Sequence, residues 1–579
     1  MAMETLRFVA FAAPAPGEGW LCGQDPLEVI EARRPEQVLP ALARAQQAAD
    51  AGHWAAGFVT YEAAAGLDGH LAVRDDSPLP LLRLGVFERL EPRASLGEPA
   101  GEFELSEWQS PTPYGPYAAA IARIKDLIAA GDTYQVNYTI RLLSRFRGEP
   151  RALMARLIAA QPSPHAAFID GDDWAVCSAS PELFFELDGE LLASRPMKGT
   201  AARGLWPADD RRLRQELAES RKDRAENLMI LDMVRNDLGR VARFGSVRVS
   251  RPFEIEPYPT LYQMTSTVEA QTPASLPEIF RALFPCASIT GAPKVRTMQI
   301  IRELEDSPRG LYTGAIGYIG PGRRARFNVA IRTVVIHKPS GRAEYGVGGG
   351  IVWDSRAESE YAECRTKAGI LASPPPRFEL LETLRFEPAS GFFLLQEHLE
   401  RLAASGERFG FAVDAQRVRA ALAERTAGLG GPSRVRLLVN RAGDCRVEVH
   451  PLPPELGRPW RLRLAREPIS PQDVFLYHKT THRAVYERAA RNRGDCDDVL
   501  LWNPRREATE TTIANLVVEL GGRLVTPPVE CGLLPGVMRE HLLRTGQVVE
   551  QVVRLEDLPR CTKLFAVNSL RRWLPAAVE

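Results

Sequence analysis

Four stretches carry side chains whose types and spacing could do chemistry. In KDRAENLMILDMVRNDLGRV, Glu226, Ile230, Met233 and Asp237 fall at i, i+4, i+7 and i+11, so a helix there sets two carboxylates on a face shared with apolar residues. Glu360 and Glu363 lie at i and i+3 of a second helical stretch. Carboxylates brought together from two helices could hold a hard ion such as Mg²⁺, which takes one or two carboxylates plus substrate oxygens. Acids near a helix start also simply offset its dipole, and spacing alone leaves both readings open. Glu182 and Lys198 belong to SASPELFFELDGELLASRPMKGTAARG, where an acid and an amine could share one reaction. Lys479, in FLYHKTTHRAVYERA, precedes a helix that Thr480 or Thr481 could cap. The positive end of that helix would favour a neutral amine, as a Schiff-base lysine needs. A surface lysine is the plain alternative.

These groups need elements to hold them, and the chain is long enough to supply them. Its 579 residues include 45% hydrophobic and 25% charged side chains, the composition of a globular protein with a sizeable core. Lys plus Arg and Asp plus Glu both number 73, which argues against nucleic acid or an anionic membrane as partner. Eight scattered cysteines form no C-x-x-C pair and read as reduced thiols. The N-terminal segment has no basic start before its apolar run, and no apolar stretch approaches the ~20 residues that span a bilayer. A cytoplasmic location is expected. Ala372-Ser373-Pro374-Pro375-Pro376 stiffens a connector, giving domains over residues 1–371 and 377–579 with 372–376 between them.

The elements before the connector lack a regular strand–helix rhythm, which predicts an α+β architecture. Tyr117, Ile121, Ile124 and Ile128 mark a helix ended at Gly131, and Val136, Tyr138 and Ile140 alternate with Gln135, Asn137 and Thr139 as a half-buried strand. Ser355 to Glu358 has the capping-box pattern. Past the connector, Leu395, Leu399, Leu402 and Phe409 predict an amphipathic helix stopped by Gly410, and LVVEL and RLVTP around Gly521-Gly522 predict a hairpin.

GDTYQVNYT, SPELF, RPMKGT, AENLMILDMVRNDLGRV, ASITGAPK, GYIG, AIRT and GGGIVWDS follow one another in the first part. Together they resemble the chorismate-utilising enzymes, which include anthranilate synthase, isochorismate synthases and component I of aminodeoxychorismate synthase. Lys198 in P-M-K-G-T is similar to the last branch, where lysine forms a covalent intermediate. Gln263 stands where anthranilate synthases carry His. The resemblance implies that Lys198 attacks C2 of chorismate, that Glu182 is the general acid, and that Glu226 and Glu363 bind Mg²⁺ with Glu360 beside them. It also implies a substrate cradle of Thr290, Tyr318, Arg332 and the amides of Gly348, Gly349 and Gly350. No G-x-C-x-G glutaminase elbow is present, so ammonia is expected from a separate glutaminase subunit.

EHLERL, HKTTHR, EATETTIANLVV, LLPGVMR and VNSLR resemble fold-type IV pyridoxal phosphate enzymes, especially aminodeoxychorismate lyase. The fold implied is a chorismate-utilising domain followed by a fold-type IV domain. Lys479 is then the cofactor-binding and proton-moving lysine, Glu510 faces the pyridine nitrogen, and Arg401 binds the phosphate. Amides near Ile513, Ala514, Val537 and Met538 hold that phosphate too. The family's G-[IVT]-T-R turn reads Gly536-Val537-Met538-Arg539 here, and the usual D-R-x-F-x-x-G-D-G entry is missing, so either part of one wall is expected from the first half or a weak lyase is. The resemblance implies a bifunctional route from chorismate to 4-aminobenzoate and pyruvate, with a homodimer through the second domain as a further expectation. The alternatives are an anthranilate synthase-like first half, and a class IV amino-acid transaminase or a silent binding module as the second.

Overall fold

The computed structural model describes residues 6–13, 19–371, 376–454 and 457–579. The chain divides into two compact units. One comprises Met1–Ala202 with Arg214–Pro375, the other Arg203–Leu213 with Pro376–Glu579. Most of the expected connector, residues 372–375, lies outside the described residues.

Two ten-stranded sheets, antiparallel in every pairing, form the first unit. Their facing sides bury Val9, Phe11, Phe58, Val176 and Ile316 between them. On the outer face of one sheet, the helices Tyr114–Ala129, Pro150–Ala160 and Lys294–Leu304 cover Phe168, Ala175 and Tyr345. The helices Val38–Asp50, Arg221–Gly239 and Leu276–Leu283 cover the other. There Phe184, Phe185, Phe280 and Phe327 meet largely edge to face, with Phe185 and Phe280 5.4 Å apart. Truncating one such ring to alanine costs about 3–5 kcal/mol.

The helix marked by Tyr117 and Ile124 spans Tyr114–Ala129, and the strand after it runs Gln135–Gly148. That strand is not half-buried. Gln135, Asn137 and Thr139 are as buried as Val136 and Tyr138, because polar partners wait on their side too: Asn137 N–H donates to the Thr290 carbonyl at 2.8 Å and Thr139 Oγ1 to Glu305 at 2.8 Å. The expected capping box at Ser355 does not form. The helix is Ala357–Ala368 without a side-chain cap; Ser355 Oγ accepts from Val352 N–H instead, and Glu358 accepts the Tyr114 hydroxyl at 2.6 Å.

The second unit holds a four-stranded antiparallel sheet and an eight-stranded mixed sheet. The amphipathic helix Leu395–Phe409 packs Leu399 and Leu402 on the smaller sheet and ends at Gly410 with φ 70°, a left-handed cap that glycine takes without strain. Strands Asn515–Leu520 and Arg523–Thr526 pair around Gly521-Gly522 as the hairpin expected. Residues 203–213 belong to this unit: the Trp206 ring lies 5.3 Å from Tyr477, and Arg408 donates to the Gly204 carbonyl at 3.1 Å. Among the described residues no helix is long and apolar enough to cross a membrane.

Candidate active sites

In the first unit the sheet edge Met197–Ala202 carries Lys198, and the residue before strand Leu183–Asp188 is Glu182. The Glu182 carboxylate is 3% exposed and accepts from Ser288 Oγ at 2.6 Å. Burial raises its pKa to about 7 against the lowering by Ser288 and Lys198. Burial also lowers the Lys198 pKa, and Lys367 lowers it further while Glu182, Glu226 and Glu363 oppose. An amine and a carboxylic acid are thus both biased toward their neutral forms within electrostatic reach of each other.

Backbone ties fix the lysine. Asn227 donates to the Lys198 carbonyl at 3.2 Å, while Gln263 accepts from Thr200 Oγ1 at 3.1 Å and donates to the Gly199 carbonyl at 2.9 Å. The strand Arg342–Ile351 brings Gly348, Gly349 and Gly350 alongside. A Cβ at Gly350 would lie 3.0 Å from Lys198 Nζ, and one at Gly349 3.2 Å from a Glu360 oxygen. Glycine keeps that ribbon open. Gln135 Nε2, buried without a partner, points at the same ribbon. It is a donor the sequence reading missed, as it missed Ser288, Asn227 and Lys367.

Other expected members stand elsewhere. Tyr318 is not brought to Arg332: its ring packs 5.5 Å from Phe11 and 5.6 Å from Trp54, with Arg326 as its charged neighbour. Arg332, at φ 51°, has Tyr345 and Tyr258 beside it, and a strained arginine at a site is a hint of function. The Thr290 hydroxyl is committed to the Cys286 and Ala287 carbonyls at 3.2 and 3.3 Å, so it shapes the loop that carries Ser288. Glu226 and Glu363 both act on Lys198, and Glu363 on Glu360, although among the described residues no three His, Cys, Asp or Glu side chains gather to hold a metal; Glu363 pairs with Lys367 at 2.7 Å and Glu226 faces Lys222 at 3.9 Å, each one helical turn along. Still, these oxygens are of the type Mg²⁺ takes, and it needs only one or two of them.

The second unit encloses a cavity of about 310 Å³ that Lys479, Glu510, Arg401, Ile513, Ala514 and Val537 line. Lys479 is not at a capped helix start. The helix is Ala484–Ala490 after Arg483, and Thr480 and Thr481 accept from His482 and Glu379 amides instead. Burial, reinforced by Arg401 and Arg483, lowers the Lys479 pKa to about 7. Glu510 is raised to about 7 by burial while accepting from Leu534 N–H at 3.0 Å, Tyr486 Oη at 2.8 Å and Asn515 Nδ2 at 3.1 Å.

Arg401 lines the cavity but is already paired: its Nε donates to Glu382 at 2.9 Å, its Nη2 to the other Glu382 oxygen, and His398 Nδ1 lies 2.7 Å from that carboxylate. Burial alone would raise Glu382, yet Arg401 and His398 outweigh it and hold it at about 2. Met538 is buried against Val517 and Leu542, leaving its amide, with that of Val537, at the helix start Val537–Arg544. The donor set of a near-neutral lysine, a buried glutamate and amides at a helix start facing one cavity suits pyridoxal phosphate. Among the described residues, none of the first half lines this cavity; residues 203–213 instead back Tyr477 and His478, whose Nε2 lies 3.2 Å from the Leu205 carbonyl.

Comparison with known proteins agrees with this division. Residues 379–578 match the class IV amino-transferase family. Aminodeoxychorismate synthase component 1 of Salmonella typhimurium is 42% identical over 271 residues, 46% of this chain and 59% of that protein. Anthranilate synthase component 1 of Thermus thermophilus is 40% identical over 260 residues, 44% and 55% of the two chains. The match thus spans under two thirds of these relatives. The crystal structure of anthranilate synthase component I from Streptococcus pneumoniae superposes with TM-score 0.52 at 23% identity, covering 62% of this chain and 91% of that one, which shows a shared fold. With residues 9–373 matching its family profile, well over half of the sequence, the chain belongs to the chorismate binding enzymes.

Proposed function

We propose that the chain converts chorismate to 4-aminobenzoate in two steps, one in each unit. The observation that carries the first step is Lys198 held with its amine pKa lowered beside a carboxyl that keeps its proton to about pH 7. Neutral Lys198 forms a bond from Nζ to C2 of chorismate as the C4 hydroxyl, protonated by Glu182, leaves as water. Ammonia then bonds to C4 as the lysine departs from C2 as the neutral amine, and the proton shed by the ammonium formed at C4 passes back to the Glu182 carboxylate. Gln135 and the Gly348–Gly350 amides supply donors to a substrate carboxylate, and Arg332 an ion pair. Glu226, Glu360 and Glu363 are the residues that would hold Mg²⁺, which when bound supplies positive charge against a dianionic substrate. A separate glutaminase subunit supplies the ammonia, a reading supported by the relatives' designation as component 1.

In the second unit Lys479 takes the C4 proton of 4-amino-4-deoxychorismate and returns a proton to the departing enolpyruvyl group, releasing pyruvate and an aromatic ring. When bound, pyridoxal phosphate supplies an electron sink for that proton loss. Glu510, fixed by Tyr486, Asn515 and the Leu534 amide, is the residue that would face its ring nitrogen; the Val537 and Met538 amides would hold its phosphate together with those of Ile513 and Ala514, which also donate to Thr511 Oγ1 at 3.4 and 3.1 Å, with Arg401 behind them.

The purified chain with chorismate, ammonium, Mg²⁺ and pyridoxal phosphate is expected to yield 4-aminobenzoate and pyruvate. Anthranilate as product would overturn the first assignment, and amino transfer to 2-oxoglutarate without pyruvate release the second. Lys198→Ala is expected to stop the first step, and Lys479→Ala to leave aminodeoxychorismate accumulating.

A further inference from the structure

The cavity of the second unit holds more positive charge than its cofactor needs. Besides Lys479 and Arg401, it is lined by Arg434, Arg436, Arg483 and Arg571. Sorting them by partner separates two kinds. Arg401 is neutralised by Glu382 and Arg436 by Glu448 at 3.0 Å. Arg483 donates to the Thr512 carbonyl and lies 4.6 Å over the Tyr486 ring. Arg434 and Arg571 have no carboxylate within ion-pair distance among the described residues, and Arg434 Nε is buried with no partner at all.

Their positions are fixed from two sides. Arg434 stands on strand Ser433–Val439 two residues before Arg436, on the same face, with Arg385 and His450 as its cross-strand neighbours. Neither neighbour is acidic, and Arg385 is itself engaged with Glu387 at 2.7 Å. Arg571 belongs to the turn after Asn568, whose Oδ1 accepts from the Leu570 and Arg571 amides at 3.1 and 2.8 Å. Its Nη1 donates to the Pro454 carbonyl at 3.2 Å, and its guanidinium lies 5.5 Å over Trp460. Burial weakens the hold of Arg571 on its proton, and the neighbouring Arg434 weakens it further. Two part-buried like charges facing one cavity are costly until an anion joins them.

The cofactor phosphate does not fill that role, since its proposed amides and Arg401 belong to Ile513, Ala514 and the turn after Pro535, where Arg401 Nη1 reaches the Pro535 carbonyl at 3.4 Å. We propose that Arg434 and Arg571 are the substrate-carboxylate pair of this cavity and make it selective for an amine bearing two carboxylates over one bearing a single carboxylate. Each guanidinium can grip a carboxylate through two parallel N–H bonds; a monocarboxylate leaves one cation unmatched. The inference rests on the proposed lyase reading for the identity of the dicarboxylate, 4-amino-4-deoxychorismate, but not for its charge.

The test uses the full chain loaded with pyridoxal phosphate, in a Lys198→Ala background so that the first unit does not consume the probe. Chorismate, a dicarboxylate without an amine, is titrated while the absorbance of the bound cofactor, which belongs to the second unit alone, is followed. Arg434→Gln and Arg571→Gln are each expected to weaken chorismate binding about tenfold or more, with the cofactor spectrum before titration unchanged and Arg→Lys at either position recovering part of the loss. Benzoate should bind weakly to the parent chain. In the Lys198 chain supplied with aminodeoxychorismate, the loss should fall on KM rather than kcat. Binding of chorismate equal in parent and variants, or absent from the parent, overturns the proposal. If the variants lose chorismate but no 4-aminobenzoate forms from aminodeoxychorismate, the lyase reading fails and the arginine pair stands. If 4-aminobenzoate forms with unchanged KM in both variants, the pair fails and the lyase reading stands.

Discussion

In the proposed first step, the burial of Glu182 would set the reaction's pH range. Its pKa, raised to about 7 mainly by burial, keeps it a proton donor below that value, so the first step is expected to fall as pH rises through about 7 in a kcat profile. The Ser288 hydroxyl, 2.6 Å away, stabilises the ionised form; Ser288→Ala should therefore move that limb to higher pH, and an unmoved limb would assign the titration to another group. Glu182→Gln removes the donor and is expected to slow the step about 10²–10⁴-fold. At Lys479 the sign reverses for a base: with a pKa lowered to about 7, the cofactor-free chain should take up pyridoxal phosphate faster as pH rises through that value, in stopped-flow absorbance. The identities of Glu182, Lys198, Lys479 and Glu510 were legible in motifs. Ser288 and Gln135 were not, because only folding shows that a serine's hydroxyl meets a carboxylate or that an amide nitrogen is left without a partner.

At the level of elements, the helix Leu395–Phe409 presents His398 and Arg401 one turn apart to Glu382 on strand Leu380–Glu387. Heptad-like apolar spacing gave this helix and its Gly410 stop, yet nothing in that spacing shows that Arg401 is matched by a buried acid. Glu382→Ala strands a buried guanidinium and is expected to destabilise the second unit by about 3–5 kcal/mol in denaturant unfolding. Because its folded pKa is depressed to about 2, the stability it contributes is present above the ordinary carboxylate pKa and is lost as pH falls from there toward about 2. The turn into helix Val537–Arg544 makes a second case. A Cβ at Gly536 would meet Asn515 Oδ1 at 1.9 Å, and Asn515 in turn holds Glu510 at 3.1 Å. Gly536→Ala is expected to weaken pyridoxal phosphate binding about tenfold in equilibrium titration while the first step proceeds unchanged; unchanged cofactor affinity would show that Asn515 gives way freely. Lys479 stands at no Thr-capped helix start, since Thr480 and Thr481 accept instead from the His482 and Glu379 amides.

Across the whole molecule, two units emerge from one chain, but residues 203–213 group with the later one. They are held there by the Trp206–Tyr477 ring contact and the Arg408 bond to Gly204, while the bidentate Arg203–Asp210 pair at 2.9 and 2.7 Å closes the segment on itself. Trp206→Ala should thus lower the unfolding midpoint of the second unit, followed by cofactor absorbance, and leave the first transition in place. The sequence by itself determined the chemistry-bearing residue types, the order of the two motif-bearing segments and the strongly periodic elements, because motifs and apolar spacing are local properties of the chain. Only the tertiary structure decided that Tyr318 packs in the core between the sheets and that Arg401 is matched while Arg434 and Arg571 are not. Those outcomes depend on burial and on partners brought from distant segments, and burial is what turns an ordinary acid or amine into one whose charge is decided by its neighbours.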